Sequence, residues 1–358
     1  MKYIVFSDPH IGYRPKSHVT TASAERYSQM VVVQAHVALD QVRKEFPDAP
    51  VLCLGDLFHK HSNSERVILE GSDLMARTNL CLNGNHDVLN VAGATSSFDL
   101  AWQLNRHATD SQWTHRERAE WGYWPTSKDQ QAEFWYCCHY LTQADFEAAV
   151  NAVCSAAMKA VSHYKYLLLH CNVGEGYGGD VEADGSSLFL TKELREKASS
   201  VFDRILVGHE HVPRSIGNLQ IVGNTIPLTF GEMADRFVWI LDTADNSLTP
   251  ARTLSMSERL LVTEVTQLSD LETISLVPEI WWVDLKGQLP VEDKPKALKT
   301  IVDLWKQSDS LLAIRNGLEW LGATPSTKRG TDLVADLPSL VREEAERAGF
   351  KRELEEIL

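Results

Sequence analysis

The sequence predicts an α/β fold, and three observations carry that prediction. Short apolar runs of strand length alternate with helical patterns over about the first 250 residues, as they do in chains of βαβ units. At 358 residues the chain can bury one large core and still carry a smaller appendage. Ligand-competent polar residues recur at the carboxyl ends of the apolar runs, the edge where open α/β sheets assemble their sites.

The expected strands in this first part are Tyr3–Phe6, Val51–Leu54, Asn79–Leu82, Tyr166–Leu169, Arg204–Val207, Leu219–Val222 and Arg236–Leu241. A helix is expected from about Ala24 to Phe46, because Val31, Ala35, Ala38, Leu39 and Val42 repeat at helical spacing. Others are expected near Ser64–Arg77 and Gln143–Ser162, the latter with Phe146, Ala149, Val150, Val153 and Ala157 on one face. Turns such as Ile216-Gly217-Asn218 predict that the later strands are partly antiparallel. Thr249-Pro250 is read as a linker between residues 1–250 and a small α+β module over 251–325. That module has expected strands at Leu260–Val265 and Ile280–Leu285 and a helix at Pro295–Trp305. Residues 326–358 form a C-terminal segment whose charged, amphipathic end from Ser339 is either a solvated tail or a docking helix.

Composition narrows the class. No run of about eighteen apolar residues is present, which excludes a transmembrane helix. The opening Met1-Lys2-Tyr3-Ile4-Val5-Phe6-Ser7-Asp8 turns polar too soon for a signal peptide and reads as a buried strand. Six cysteines without CxxC spacing fit reduced core thiols in a cytoplasmic protein. The net charge of −14 weighs against a broad nucleic-acid surface, although divalent cations or a local basic patch can reverse the local field.

The chemistry lies at five strand ends. They carry Asp8-Pro9-His10, Gly55-Asp56, Asn83-Gly84-Asn85-His86-Asp87, His170 and Gly208-His209-Glu210-His211. Each piece alone is commonplace, since Asn, Asp and Gly often only make turns. Their recurrence on successive strand ends predicts a shared metal site. Carboxylate, amide and imidazole donors without thiolate suit Mn2+, Fe2+ or Zn2+ rather than structural zinc. The groups exceed the needs of one ion, and a carboxylate-bridged pair about 3.5–4 Å apart would use them all. Cys171, next to His170, is expected to point into the core instead.

These residues resemble the motif series of the calcineurin-like metallophosphoesterases: D-x-H, GD, GNH(D/E), H and GHxH, in that order from Asp8 to His211. The resemblance implies a two-sheet α/β sandwich flanked by helices. It also implies one metal held by Asp8, His10 and His211, another by Asn85, His170 and His209, and Asp56 bridging them. His86 would face the substrate phosphate, with Asp87 orienting its ring. Within the family the chain is most similar to the nuclease subunit of SbcCD-type complexes, the meiotic-recombination nucleases and their phage relatives. His10-Ile11-Gly12-Tyr13, Gly55-Asp56-Leu57-Phe58-His59 and Ile221-Val222-Gly223-Asn224-Thr225-Ile226-Pro227-Leu228-Thr229 carry that likeness.

The closer resemblance implies a DNA exonuclease and endonuclease of recombination and repair, with two Mn2+ ions. His59 would be a second substrate-facing histidine. By position alone, 251–325 would be a DNA-capping module and the terminal helix the dock for a coiled-coil ATPase, the SbcC-type partner, on a homodimer with no membrane role. Arg14, Lys16, Lys60, Arg66 and Arg214 follow metal motifs and are candidate contacts to a DNA backbone. No Walker A loop is present, so an ATPase would be a separate chain; Gly322-Ala323-Thr324-Pro325-Ser326-Thr327-Lys328 lacks the second glycine. The segment Trp102–Tyr136, rich in Trp, is read as a surface insertion, a dimer contact or a DNA-stacking surface. The alternatives are a metallophosphatase or cyclic-nucleotide phosphodiesterase with the same motifs, or a non-catalytic scaffold, which would have lost ligands that are all present here.

Overall fold

The computed structural model describes residues 1–88, 95–105, 121–124, 132–138, 142–174 and 188–322. They divide into two compact units: Met1–Tyr13 with Val31–Leu254, and Arg14–Met30 with the residues from Ser255 onward.

The first unit runs β1 (Lys2–Phe6), the main part of α1 (Thr21–Arg43), β2 (Val51–Cys53), α2 (Glu65–Met75), β3 (Leu80–Cys81) and α3 (Ser97–Asn105). It continues through β4 (Trp121–Trp124), β5 (Ala132–Cys137), α4 (Gln143–Ala157), β6 (Tyr164–His170), α5 (Lys192–Val201) and β7 (Arg204–Gly208). The last strands are β8 (Arg214–Ile216), β9 (Leu219–Ile221), β10 (Arg236–Asp242) and β11 (Ser247–Leu254). One sheet has the order β11-β10-β1-β2-β3 and the other β4-β5-β6-β7-β9-β8.

Strand alternation turns these sheets into layers. In β1, Tyr3 and Val5 point to one face and Ile4 and Phe6 to the other. Tyr3, Val5, Leu52, Leu54 and Leu80 meet Phe134, Tyr136, Tyr166, Leu168 and Leu206 of the second sheet in one buried cluster. The outer face of the first sheet buries Ile4, Phe6, Val51 and Cys53 under Ala35, Ala38 and Leu39 of α1, Leu74 of α2 and Phe98 of α3. That of the second buries Leu167, Leu169, Ile205 and Val207 under Phe146, Val150 and Val153 of α4 and Leu194 and Ala198 of α5. The result is a helix–sheet–sheet–helix sandwich. Thr142 and Thr191 start α4 and α5 by accepting the amides of Asp145 and Leu194.

Two expectations change. Thr249-Pro250 is not a linker. It lies within β11, the edge strand, where Pro250 sits opposite Trp239 and its missing N–H interrupts no inner ladder. The Trp102–Tyr136 segment, where described, is more than a surface insertion: Trp124, Phe134, Trp135 and Tyr136 are buried, while Leu104 and Tyr123 are exposed. β4 and β5 pair antiparallel, Trp124 and Phe134 enter the layer between the sheets, and Trp102 packs under the first sheet. Its residues 106–120 and 125–131 lie outside the described residues.

The second unit holds β12 (Leu260–Val265), α6 (Leu268–Glu272), β13 (Trp282–Pro290), α7 (Lys294–Trp305) and β14 (Ala313–Leu321). The module expected to be α+β has a wholly parallel sheet, β12-β13-β14, with a helix between each pair of strands. It is therefore built of βαβ crossovers. Its core is Val265, Leu271, Val283, Leu285, Ile301, Leu304 and Ile314. Asp284, 3% exposed, holds Arg315 through both carboxylate oxygens, so the one acid buried in this sheet is paired. Ser339–Leu358, the expected terminal helix, lies outside the described residues. Among the described residues no helix is long and apolar enough to cross a membrane.

Candidate metal centre

The loops after β1, β2, β3, β6 and β7 converge. Asp8, His10, Asp56 and His209 all have positive φ, at 52°, 46°, 49° and 86°. For residues with a Cβ this left-handed geometry costs about 1–3 kcal/mol each unless the surroundings enforce it. Here backbone hydrogen bonds do so. The amides of Asp8, His10 and Ile11 donate to the carbonyls of Gly55, Asp56 and Leu57, and His59 N donates back to Ile11. His209 N donates to both carboxylate oxygens of Asp8, at 3.1 and 3.0 Å.

Two groups of ligand atoms result. Asp8, His10 and His211 form one, and Asp56, His170 and His209 the other, each with its ligand atoms within 4.8 Å of one another. Asp56 reaches both, its Oδ2 lying 3.6 Å from His10 Nε2 and its Oδ1 3.4 Å from His170 Nε2. Asn85 Oδ1 completes the second group, 3.2 Å from His170 Nε2 and 3.0 Å from His209 Nδ1. In the first group His10 Nε2 faces His211 Nε2 at 2.9 Å. All seven expected ligands are thus brought together.

The donor set fits divalent metal. Asp8 and Asp56 are each 1% exposed, and among the described residues their ion pairs are all with histidines. Burial pushes the Asp8 carboxyl up, and Asp56 is held well below the usual range, against burial, by His170. His170 in turn is raised to about 10, again against burial, by Asp56 and Asp8. Two buried carboxylates with no Lys or Arg ion pair among the described residues make a field that a cation would neutralise.

Close approach is bought by glycine. A Cβ on Gly84 would lie 2.1 Å from Asp56 Oδ1 and 2.6 Å from both Asp56 N and His170 Nε2. The turn that the sequence suggested is present, closed by Asp87 N on the Gly84 carbonyl at 3.2 Å, but Gly84 has no positive φ, so what requires glycine there is space. Gly55, at φ +110°, would place a Cβ 2.3 Å from His170 Nδ1.

His86 and His59 lie beside this centre, with His10 forming a third group of histidines. Their rings stack at 5.2 Å and 19°, and His86 Nδ1 lies 2.8 Å from the His59 carbonyl. Burial and the neighbouring His86 lower His59 to about 4. The expected Asp87–His86 orienting bond is corrected. Asp87, 1% exposed, accepts the amides of Leu57, Phe58 and Gly84 at 3.1, 2.9 and 2.9 Å, so it staples the β2 loop to the β3 loop. Burial, then the Asp56 charge, push it up to about 8, against those amides. The His59 carbonyl takes the place assigned to Asp87.

The basic candidates divide. Arg214 donates to Glu210 at 2.6 Å and Arg66 to Glu70 at 2.8 Å, so neither presents an uncompensated charge. Lys60 is exposed beside His59. Arg14 and Lys16 belong to the second unit, where Arg14 lies 3.7 Å from Glu25. Cys171 is buried in the α4–α5 core, as expected from its parity with His170.

Sequence reasoning missed three supporting residues. Glu232 lies 3.0 Å from His211 Nδ1, Arg236 is fully buried and donates to the His211 carbonyl at 3.0 Å, and Tyr13 donates to Leu228 O at 2.6 Å. The only signal for Glu232 was its place just past the Ile221–Thr229 segment.

The family model described as calcineurin-like phosphoesterase matches residues 1–213, and the chain belongs to that family. Among solved structures it is similar to a putative 5'-nucleotidase from Staphylococcus aureus in complex with alpha-ketoglutarate, at 12% identity and TM-score 0.42, over 70% of this chain and 52% of that one. An archaeal phosphodiesterase aligns at 12% identity and TM-score 0.34, over 70% and 99%. The Haemophilus influenzae NAD nucleotidase aligns at 10% and 0.36, over 97% and 60%. The chain therefore spans about half the length of the first of these, and none of the three likenesses bears on the substrate. No curated protein matches it.

Proposed function

We propose that this chain is a DNA nuclease that hydrolyses phosphodiesters with two Mn2+ ions. It acts as an exonuclease on duplex ends and an endonuclease on single strands and hairpins, in recombination and repair. It is the nuclease subunit of an SbcCD-type complex, a cytoplasmic homodimer that docks a coiled-coil ATPase. The observation that carries the reading is the His59–His86 pair stacked beside the two ligand groups, on the motif versions that resemble the nucleases.

Asp8, His10 and His211 would hold one ion and Asn85, His170 and His209 the other, with Asp56 between them. Bound there, divalent ions supply Lewis acidity and a water of lowered pKa. The residues do the positioning. His86 Nδ1 donates to the His59 carbonyl, which fixes the ring and leaves the other nitrogen to meet a phosphoryl or leaving-group oxygen. His59, with its pKa near 4, is neutral at pH 7 and so offers a hydrogen bond rather than a charge. Asp87 keeps the loops of Asp56 and Asn85 in register.

The test is digestion of linear duplex and single-stranded DNA by the purified chain with Mn2+, beside His86→Ala. We expect nuclease activity that falls about 10²–10⁴-fold in the variant while metal content is retained. DNA left intact while nucleotides, cyclic nucleotides or a phosphoprotein are turned over would overturn the DNA reading.

A further inference from the structure

The two ligand groups are not supported alike. His170 turns Nδ1 to a backbone carbonyl, that of Leu54 at 2.8 Å, and His209 presents Nδ1 to Asn85. His211 presents Nε2 to its group, and its Nδ1 meets the carboxylate of Glu232 at 3.0 Å. An ionised carboxylate can only accept, so His211 must carry its proton on Nδ1, and the Nε2 lone pair is left for a cation.

Glu232 is itself held from several sides. Its Oε2 accepts from Leu228 N at 3.0 Å and Asn224 Nδ2 at 3.3 Å, and its Oε1 from Thr229 Oγ1 at 3.3 Å. The buried guanidinium of Arg236 lies 3.9 Å from Oε2 and also donates to the carbonyls of His211 and Glu232. Leu228 is tied back by Tyr13, whose ring stands edge-on to His59 at 4.9 Å. A group so firmly fixed beside one histidine does more than fill a turn.

We infer that Glu232 is a positioning residue that strengthens cation binding at the Asp8–His10–His211 group relative to the Asn85–His170–His209 group. The cause is chemical. A carboxylate acceptor orients the imidazole and raises its basicity more than a neutral carbonyl does, and losing such a partner typically costs 10–100-fold in metal affinity. The inference rests on the two-ion reading of the site.

The test is calorimetric titration of Mn2+ into the metal-free full chain, as wild type, Glu232→Gln and Glu232→Ala, with His211→Ala alone and combined with Glu232→Gln. Wild type should show two classes of site. Glu232→Gln, which keeps an acceptor oxygen but loses the charge, should weaken one class about tenfold, and Glu232→Ala up to about 100-fold, the other class staying within about twofold. In the His211→Ala background Glu232→Gln should add nothing, whereas a merely structural role would still show. Should Glu232→Ala fail to fold, Glu232→Gln and its cycle with His211→Ala decide the matter. Two unchanged classes in Glu232→Gln, or two equally weakened ones, would overturn the inference and leave the two-ion reading standing. A wild-type chain that binds fewer than two ions would overturn the two-ion reading itself, and this inference with it.

Discussion

Gly84→Ala puts the packing of the metal centre to the test with a single methyl group. Its Cβ would stand 2.1 Å from Asp56 Oδ1, 2.6 Å from Asp56 N and 2.6 Å from His170 Nε2, where ordinary contact begins at 3.4 Å. None of the three is a free side-chain end: Asp56 N is backbone, Asp56 Oδ1 accepts the His86 amide at 3.0 Å, and the His170 ring is held to the Leu54 carbonyl at 2.8 Å. The loop or the ligands must therefore move by roughly 1 Å. Overpacking of this kind costs about 1–3 kcal/mol. Displacing a reacting group by that distance costs on the order of 100-fold in rate. The assay is Mn2+-dependent hydrolysis of bis(p-nitrophenyl) phosphate, with urea unfolding of the metal-free chain alongside. Gly217→Ala is the control: it lies in the β8–β9 turn at φ +60° with nothing within 4 Å of a Cβ. It should lose about 1 kcal/mol of stability through backbone strain and keep its rate. Gly84→Ala turning over within twofold of wild type would refute the packing argument.

Two further outcomes are expected. Asp87→Ala strands three buried amides, each worth roughly 1–3 kcal/mol, so urea unfolding should show a loss of about 3–5 kcal/mol after partial relaxation. Asp87→Asn should lose less, and a stable but inactive Asp87→Ala would return the residue to a chemical role. Cys53, Cys137 and Cys171 are buried, and burial also raises the Cys137 and Cys171 thiols, so iodoacetamide at pH 8 should leave these three unlabelled in the native chain. Mass spectrometry should find all six cysteines labelled in denaturant; rapid native labelling of Cys171 would contradict the core placement of the residue after His170.

Much of the fold was legible because strand parity and helix period are local properties. Ala35, Ala38, Leu39 and Val42 marked the face of α1 that packs on the first sheet. Strands β4, β5, β8, β11 and β14 escaped notice, and β4 and β5 did so because they read as a polar, Trp-rich insertion, although Trp124 and Phe134 belong to the layer between the sheets. Pro250 misled in the other direction, because edge strands tolerate the residue that usually marks a break. The parallel order of β12, β13 and β14 depended on how helices cross between them, which apolar periodicity does not encode.

The sequence by itself determined which residues could bind metal: a polar group at a strand's carboxyl end is written in the chain as an apolar run followed by Asp, Asn or His. Only the tertiary structure decided what those residues rest on. Glu232 meets His211, Arg236 lies beneath both, Asp87 holds the β2 loop instead of His86, and Glu210 compensates Arg214. Gly84 likewise owes its place to the Asp56 carboxylate and the His170 ring, groups far from it along the chain. The physical reason is that a hydrogen bond or a close contact depends on where two separate loops arrive in space. Their arrival is set by sheet order and layer packing, not by the spacing of residues along the chain.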